Sequence, residues 1–197
     1  MAATHALPAA PPVQRPRVLV VGTAFVSAAT VMTFVGLIGI YLTQRAAIIS
    51  AGDIWLPKGV TIPLQQPNTM LFTLLMSVVT MQWAVHAIAN NDRLNTYLAL
   101  SMTLVFGFAT VVMTWYLYTL MNLDIATSSQ AVLIYTITGL HLFLLVGAML
   151  FIALMAFRAF AGSFDARQHD GITAAALFWY ALVAVYVLIW ITIYVTK

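Results

Sequence analysis

From Tyr135 to Phe157 the chain carries no Asp, Glu, Lys or Arg, and one histidine, His141, stands within the run. A bilayer's hydrocarbon is crossed by about 20 apolar residues in a helix. This stretch therefore folds as a membrane span or not at all. The rest of the sequence must be compatible with an apolar helix that holds one imidazole.

The composition agrees. Hydrophobic residues make up 63% of the 197 and charged residues 7%, too few charges to cover a water-soluble domain. The fold class is all-α integral membrane. The length leaves room for about five or six spans with short links and for no soluble domain. With no cysteine, disulfides, thiolate metal sites and sulfur-ligated copper are excluded. The net charge of +3 rests on few residues and reads as membrane topology, not as affinity for nucleic acid.

Residues 1–16, rich in Ala and Pro, predict a disordered N-terminal tail. The remainder, 17–197, reads as a single five-helix membrane domain. Its helices are expected at 18–44, 69–89, 94–120, 131–160 and 173–196. The first apolar run is too long for the core of a signal peptide, so it reads as an uncleaved span. Gly22, Ala29 and Gly36 recur every seven residues on it, a stripe of small side chains that suits a close helix contact. Prolines and glycines mark the longest loop, from Arg45 to Pro67, where Trp55 suits an interfacial position. Asn68 and Thr69 stand where a cap would open the second helix. Asn90, Asn91, Asp92 and Arg93 form a polar turn, so spans two and three should pair as an antiparallel hairpin. Trp115, Tyr116 and Tyr118 read as an interfacial aromatic belt.

Arg15, Arg17, Arg93, Arg158 and Arg167 fall on one side of these spans, and Arg45, Lys58 and Lys197 on the other. By the positive-inside rule the N-terminus is expected in the cytoplasm and the C-terminus outside. Inside the spans the ionisable candidates are His86 and His141. A haem held by two histidines needs both at one depth, and a copper or zinc site needs three or four ligands together. His86 falls near the end of its helix and His141 near the middle of its own, so no catalytic, cofactor or metal residue is expected in this chain. His141 is expected to be a neutral imidazole bonded to a hydroxyl or carbonyl across a helix interface.

Several stretches resemble subunit III of the haem-copper terminal oxidases. The loop and second helix offer Trp55, Pro57, Gly59, Asn68, Thr69, Trp83, Ala84, His86, Asp92 and Arg93. Thr138, Gly139, His141 and Gly147 match that family's TGxH helix. His169, Gly171 and Ala174 to Ala176, with Phe178, Trp179 and Tyr180, resemble the start of its last helix. Gly36, Tyr41 and Arg45 keep its spacing in the first. The similarity is collinear over roughly residues 18 to 196 and is of the short five-helix form typical of bacterial members, hence of a bacterial plasma membrane.

The resemblance implies a five-helix bundle of the oxidase subunit III type. It implies a non-catalytic accessory subunit of a respiratory oxidase of the cytochrome c oxidase type, packed on the catalytic subunit I-like chain. Haem and copper would lie in the partner subunits. Phospholipid would be held in a cleft between the first two helices and the other three, a cleft associated with oxygen access. Gly22, Ala29, Thr30, Gly36, His86, Thr138, Gly139, His141 and Gly147 are the expected subunit or lipid contacts. The sequence departs from the family where membrane glutamates are usual, at Thr30, Leu117 and Thr173. It departs again at Leu144, Tyr180 and Val183, which replace ionisable residues. An accessory subunit of a quinol oxidase or nitric oxide reductase, or a small membrane transporter or channel, are the alternative readings.

Overall fold

The computed structural model describes residues 17–56, 60, 62–121, 123, 128–161, 164 and 169–196. The expected tail, Pro57 to Gly59, Asp124, Asp165, Arg167 and Lys197 lie outside the described residues. Five helices are long and apolar enough to cross a membrane: α1 (Val18–Ser50), α2 (Gln65–Ala89), α3 (Arg93–Met121), α4 (Ser129–Phe160) and α5 (Asp170–Ile189). The last continues into a wider π-helical turn over Trp190–Val195, in which Ile193 and Tyr194 are both buried.

The helices pack in an order the chain does not follow. α2, α3, α4 and α5 close a ring of neighbours, while α1 stands outside it against α5 and, less closely, α4. α5 therefore touches three helices, and its span is the most buried of the five. α1 and α2, consecutive in sequence, do not pack side by side. α1 and α2 therefore do not form a unit apart from the other three, since α2 lies on α3 and α1 on α5. An apolar groove of about 490 Å³ lies between the first turns of α1 and Phe151 and Phe178 of α4 and α5.

Several local expectations are corrected. α1 runs past Gln44 to Ser50, so Arg45 is helical and donates to the Thr196 carbonyl at the end of α5. A Schellman turn then stops α1: Gly52 has φ +85, its N–H donates to Ile49 and that of Asp53 to Ile48. α2 begins at Gln65, ahead of Asn68 and Thr69, because Pro67 sits in the first turn, where helix N–H groups have no intrahelical acceptor to lose. Asn68 is therefore not a cap; its Oδ1 accepts from Trp190 Nε1 at 2.8 Å. Trp55 is not open to lipid. It is 3% exposed and donates to the Tyr41 hydroxyl at 3.1 Å, with the rings edge to face. The aromatic cluster divides as well: Trp115 and Tyr116 are exposed, but Tyr118 turns inward.

The turn at 90–93 joins two helix ends economically. Asn91 adopts φ 57, its N–H donates to Ile88 and that of Asp92 to Ala87. Asp92 then caps α3: its Oδ1 accepts the Asn95 N–H at 3.1 Å and its Oδ2 the Asn95 amide at 2.6 Å. Both donors hold the carboxyl below its ordinary pKa. α2 and α3 leave this turn as an antiparallel pair with the closest packing in the molecule.

Candidate functional site: the junction around His141

His141 lies where α1, α4 and α5 meet. It is 4% exposed, and its Nε2 lies 3.1 Å from the Leu182 carbonyl of α5. A carbonyl oxygen only accepts, so Nε2 carries a proton and donates it to α5. Phe34 of α1 meets the ring edge-on at a centroid distance of 6.2 Å, and Tyr186 of α5 lies at 5.4 Å. One turn before His141, the Thr138 hydroxyl donates to Ile134 and accepts from Tyr118 of α3 at 2.8 Å. The Thr138-to-His141 segment thus binds α4 to α3 on one side and to α5 on the other. Gly139, half-buried between them, has the Tyr118 hydroxyl 4.0 Å from where a Cβ would stand.

The other expected contact residues are dispersed. Thr30 is buried on the inner face of α1, in line with Thr23, Ser27 and Phe34. Gly22, Ala29 and Gly36 are exposed, with no close helix contact at either glycine; Gly22 borders the groove at the start of α1, and Ala29 and Gly36 fall on the outer side. Gly147 is exposed as well, with open space at its Cβ. His86 is exposed near the end of α2, its Nε2 3.1 Å from the Asn90 amide. Among the described residues no three His, Asp or Glu side chains come together.

Contacts that the sequence did not reveal hold α5 to α2. Trp179 Nε1 donates to Ser77 at 2.9 Å, the Tyr186 hydroxyl to the Pro67 carbonyl at 3.1 Å, and the Tyr180 hydroxyl to Gln82 at 2.8 Å. Between α2 and α3, the Thr80 and Thr103 hydroxyls share a hydrogen bond, 2.8 Å apart. Indole and phenol donors on one stretch of α5 were the available signal, since such groups need partners when buried. Their partners on α2 are about a hundred positions distant in the chain and could not be read in advance.

These observations define a multi-pass membrane protein whose interior polar groups tie its helices to one another. The family model described as cytochrome c oxidase subunit III matches residues 12–197, and the chain belongs to that family. Among relatives, it is 29% identical over 157 residues to cytochrome c oxidase subunit 3 of Oncorhynchus clarkii, covering 78% of this chain and 60% of that protein. It is 30% identical over 146 residues to the protein of the same name in Salmo salar, covering 73% and 56%. That of Chondrus crispus is 25% identical over 154 residues, covering 77% and 57%. The chain thus spans roughly three fifths of the length of the curated relatives it matches.

Proposed function

We propose that this chain is a non-catalytic accessory subunit of a respiratory haem-copper oxidase, seated beside the catalytic subunit that carries haem and copper. The observation that carries this reading is the family match over residues 12–197, which takes in all five spans. Physical chemistry supports it from another side. Among the described residues every Asp and Arg stands in a loop or near a helix end, and the sequence has no Glu. Proton and ion routes through a bilayer are usually marked by such groups at mid-depth. Here the polar groups well within the spans are hydroxyls, indoles, the Gln82 amide and one imidazole, and most of them serve helix contact.

Within that role, the groove between α1 and the α4–α5 seam is the place for a lipid acyl chain. Val18, Leu19, Gly22, Val26, Phe151 and Phe178 line it with hydrocarbon. The same groove offers oxygen, which dissolves readily in hydrocarbon, a way along the subunit. Gly22, Ala29, Gly36, Gly147 and His86 are the exposed members of the contact set and serve lipid or neighbouring subunits. Thr30, Thr138 and His141 secure the bundle behind them. The distribution of Lys and Arg supports a cytoplasmic N-terminus.

Purification of the full chain from its own membranes in mild detergent tests the reading. A haem-bearing partner, seen in the absorbance spectrum and identified by mass spectrometry, is the expected result. A haem-free monomer that conducts solute when reconstituted overturns it in favour of a transporter.

A further inference from the structure

Hydrocarbon forms no hydrogen bonds, so a polar side chain on the outside of a span must find protein or go short of partners. Most exposed hydroxyls in these spans are satisfied by their own helix, as Thr33 is by the Ala29 carbonyl and Thr73 by that of Thr69. Gln82 is different. It is exposed on α2, whose last residue is Ala89, which puts it about 10 Å in from that end at 1.5 Å per residue. Its Oε1 accepts from Tyr180 at 2.8 Å. The N–H donors of its amide have no partner among the described residues.

The surroundings of Gln82 suit a helix. Val79 and His86, one turn to either side, are exposed on the same face. Ala184, one turn beyond Tyr180 on α5, is exposed too, and its small side chain lets another backbone come near. The outer face of α3 offers the contrast: Leu98, Met102, Val105, Phe108 and Val112 are exposed there, and the single hydroxyl of Ser101 is the polar group among them.

We propose that Val79, Gln82 and His86 of α2, with Tyr180 and Ala184 of α5, form the face on which a transmembrane helix of a partner subunit docks. The partner supplies a hydrogen-bond acceptor to the Gln82 amide: a hydroxyl, a carboxylate or a carbonyl freed from its own helix. This rests on the accessory-subunit reading and narrows it to one side of the bundle.

The chain has no cysteine, so an introduced one is the single thiol of this chain, and labelling of partner thiols is subtracted using the parent complex. Val79→Cys samples the stripe with Gln82 intact, and Phe108→Cys is the lipid-facing control. Each is given a fluorophore in the purified haem-containing complex and exposed to lipids carrying nitroxide on their acyl chains. The label at position 79 should be quenched several-fold less than that at 108, and a photo-crosslinker there should capture a different polypeptide. Adding Gln82→Leu should raise quenching at position 79 towards the control. Equal quenching at both positions, in a complex that still holds its partner, overturns the docking face. So does a cross-link to a second copy of this chain. A chain that never carries a haem-bearing partner overturns the accessory-subunit reading itself, and this face with it.

Discussion

The indole of Trp179 donates to the hydroxyl of Ser77 at 2.9 Å, joining α5 to α2 across 102 positions of sequence. Ser77 in turn donates to the Leu74 carbonyl at 2.5 Å, so both groups are satisfied inside the bundle. The far edge of the same ring meets α3. A Cβ on Gly107 would stand 2.9 Å from Trp179 Cη2 and 3.0 Å from Met149 Sδ of α4. One ring thus sits where all four helices of the closed ring converge.

Two substitutions test this junction. Gly107→Ala forces the rigid indole or Met149 to move, and overpacking of this kind costs about 1–3 kcal/mol. Ser77→Ala leaves a buried indole N–H unbonded, at a cost of about 1–3 kcal/mol. Both should lower the unfolding midpoint in detergent, and their effects should not add, because they act on one ring. An unchanged midpoint for Gly107→Ala would show that Trp179 is not fixed there.

At His141 the size of the effect should depend on charge more than on the lost bond. His141→Leu removes one hydrogen bond and keeps an apolar filling, so stability should fall by about 0.5–1.5 kcal/mol. His141→Lys places an ammonium at mid-span, where the penalty is about 2.5–3.5 kcal/mol or more. The leucine variant should reach the membrane in near-normal amounts and the lysine variant should not. Quantifying folded protein in membranes decides between these outcomes.

The two left-handed residues make opposite predictions. Gly52, at φ +85, tolerates no side chain without strain, so Gly52→Ala should cost about 1–2 kcal/mol. Asn91, at φ 57, already bears a side chain in that region, and Asn91→Gly removes its strain. The glycine variant should be at least as stable as the parent unless the Asn91 side chain contributes more than the strain costs. Thermal unfolding of the pair reads both signs.

Acid should loosen the start of α3 first. Asp92 is held below its ordinary pKa of 3.8 by the side-chain and backbone donors of Asn95. A depressed carboxyl adds stability above its unfolded pKa, and that stability is lost as pH falls through the lower folded value. Protection of the Asn95 and Thr96 amides, taken relative to intrinsic exchange at each pH, should therefore fall below about pH 4, and Asp92→Asn should blunt that dependence. Protection that does not change with pH across this window would show that the cap does not hold α3.

The expectation of five apolar spans and the polar turn at 90–93 came straight from composition and local chemistry. A long uncharged run has one stable form in a bilayer, and an Asn-Asn-Asp sequence between two such runs favours an αL residue followed by a cap. The acceptor for His141 was foreseeable as a type, since an imidazole in hydrocarbon needs a hydroxyl or a carbonyl. That it is the Leu182 carbonyl was not. The small-residue stripe on α1 was read as a helix contact, yet Gly22, Ala29 and Gly36 are exposed, and Thr23, Ser27, Thr30 and Phe34 face inward. In water an amphipathic pattern would have told these faces apart. In a membrane every face of α1 is apolar, so periodicity carries little direction.

The sequence by itself therefore determined how many helices there are, where most of them turn and which side chains need partners, because local backbone and solvation energies decide those questions. Only the tertiary structure decided that α5 is the central helix, that α1 stands outside the ring, that Trp55 is covered by Tyr41 and that Gln82 is left with free donors. Those follow from which apolar surfaces fit together, and shape between distant segments is a property that no single stretch of chain contains.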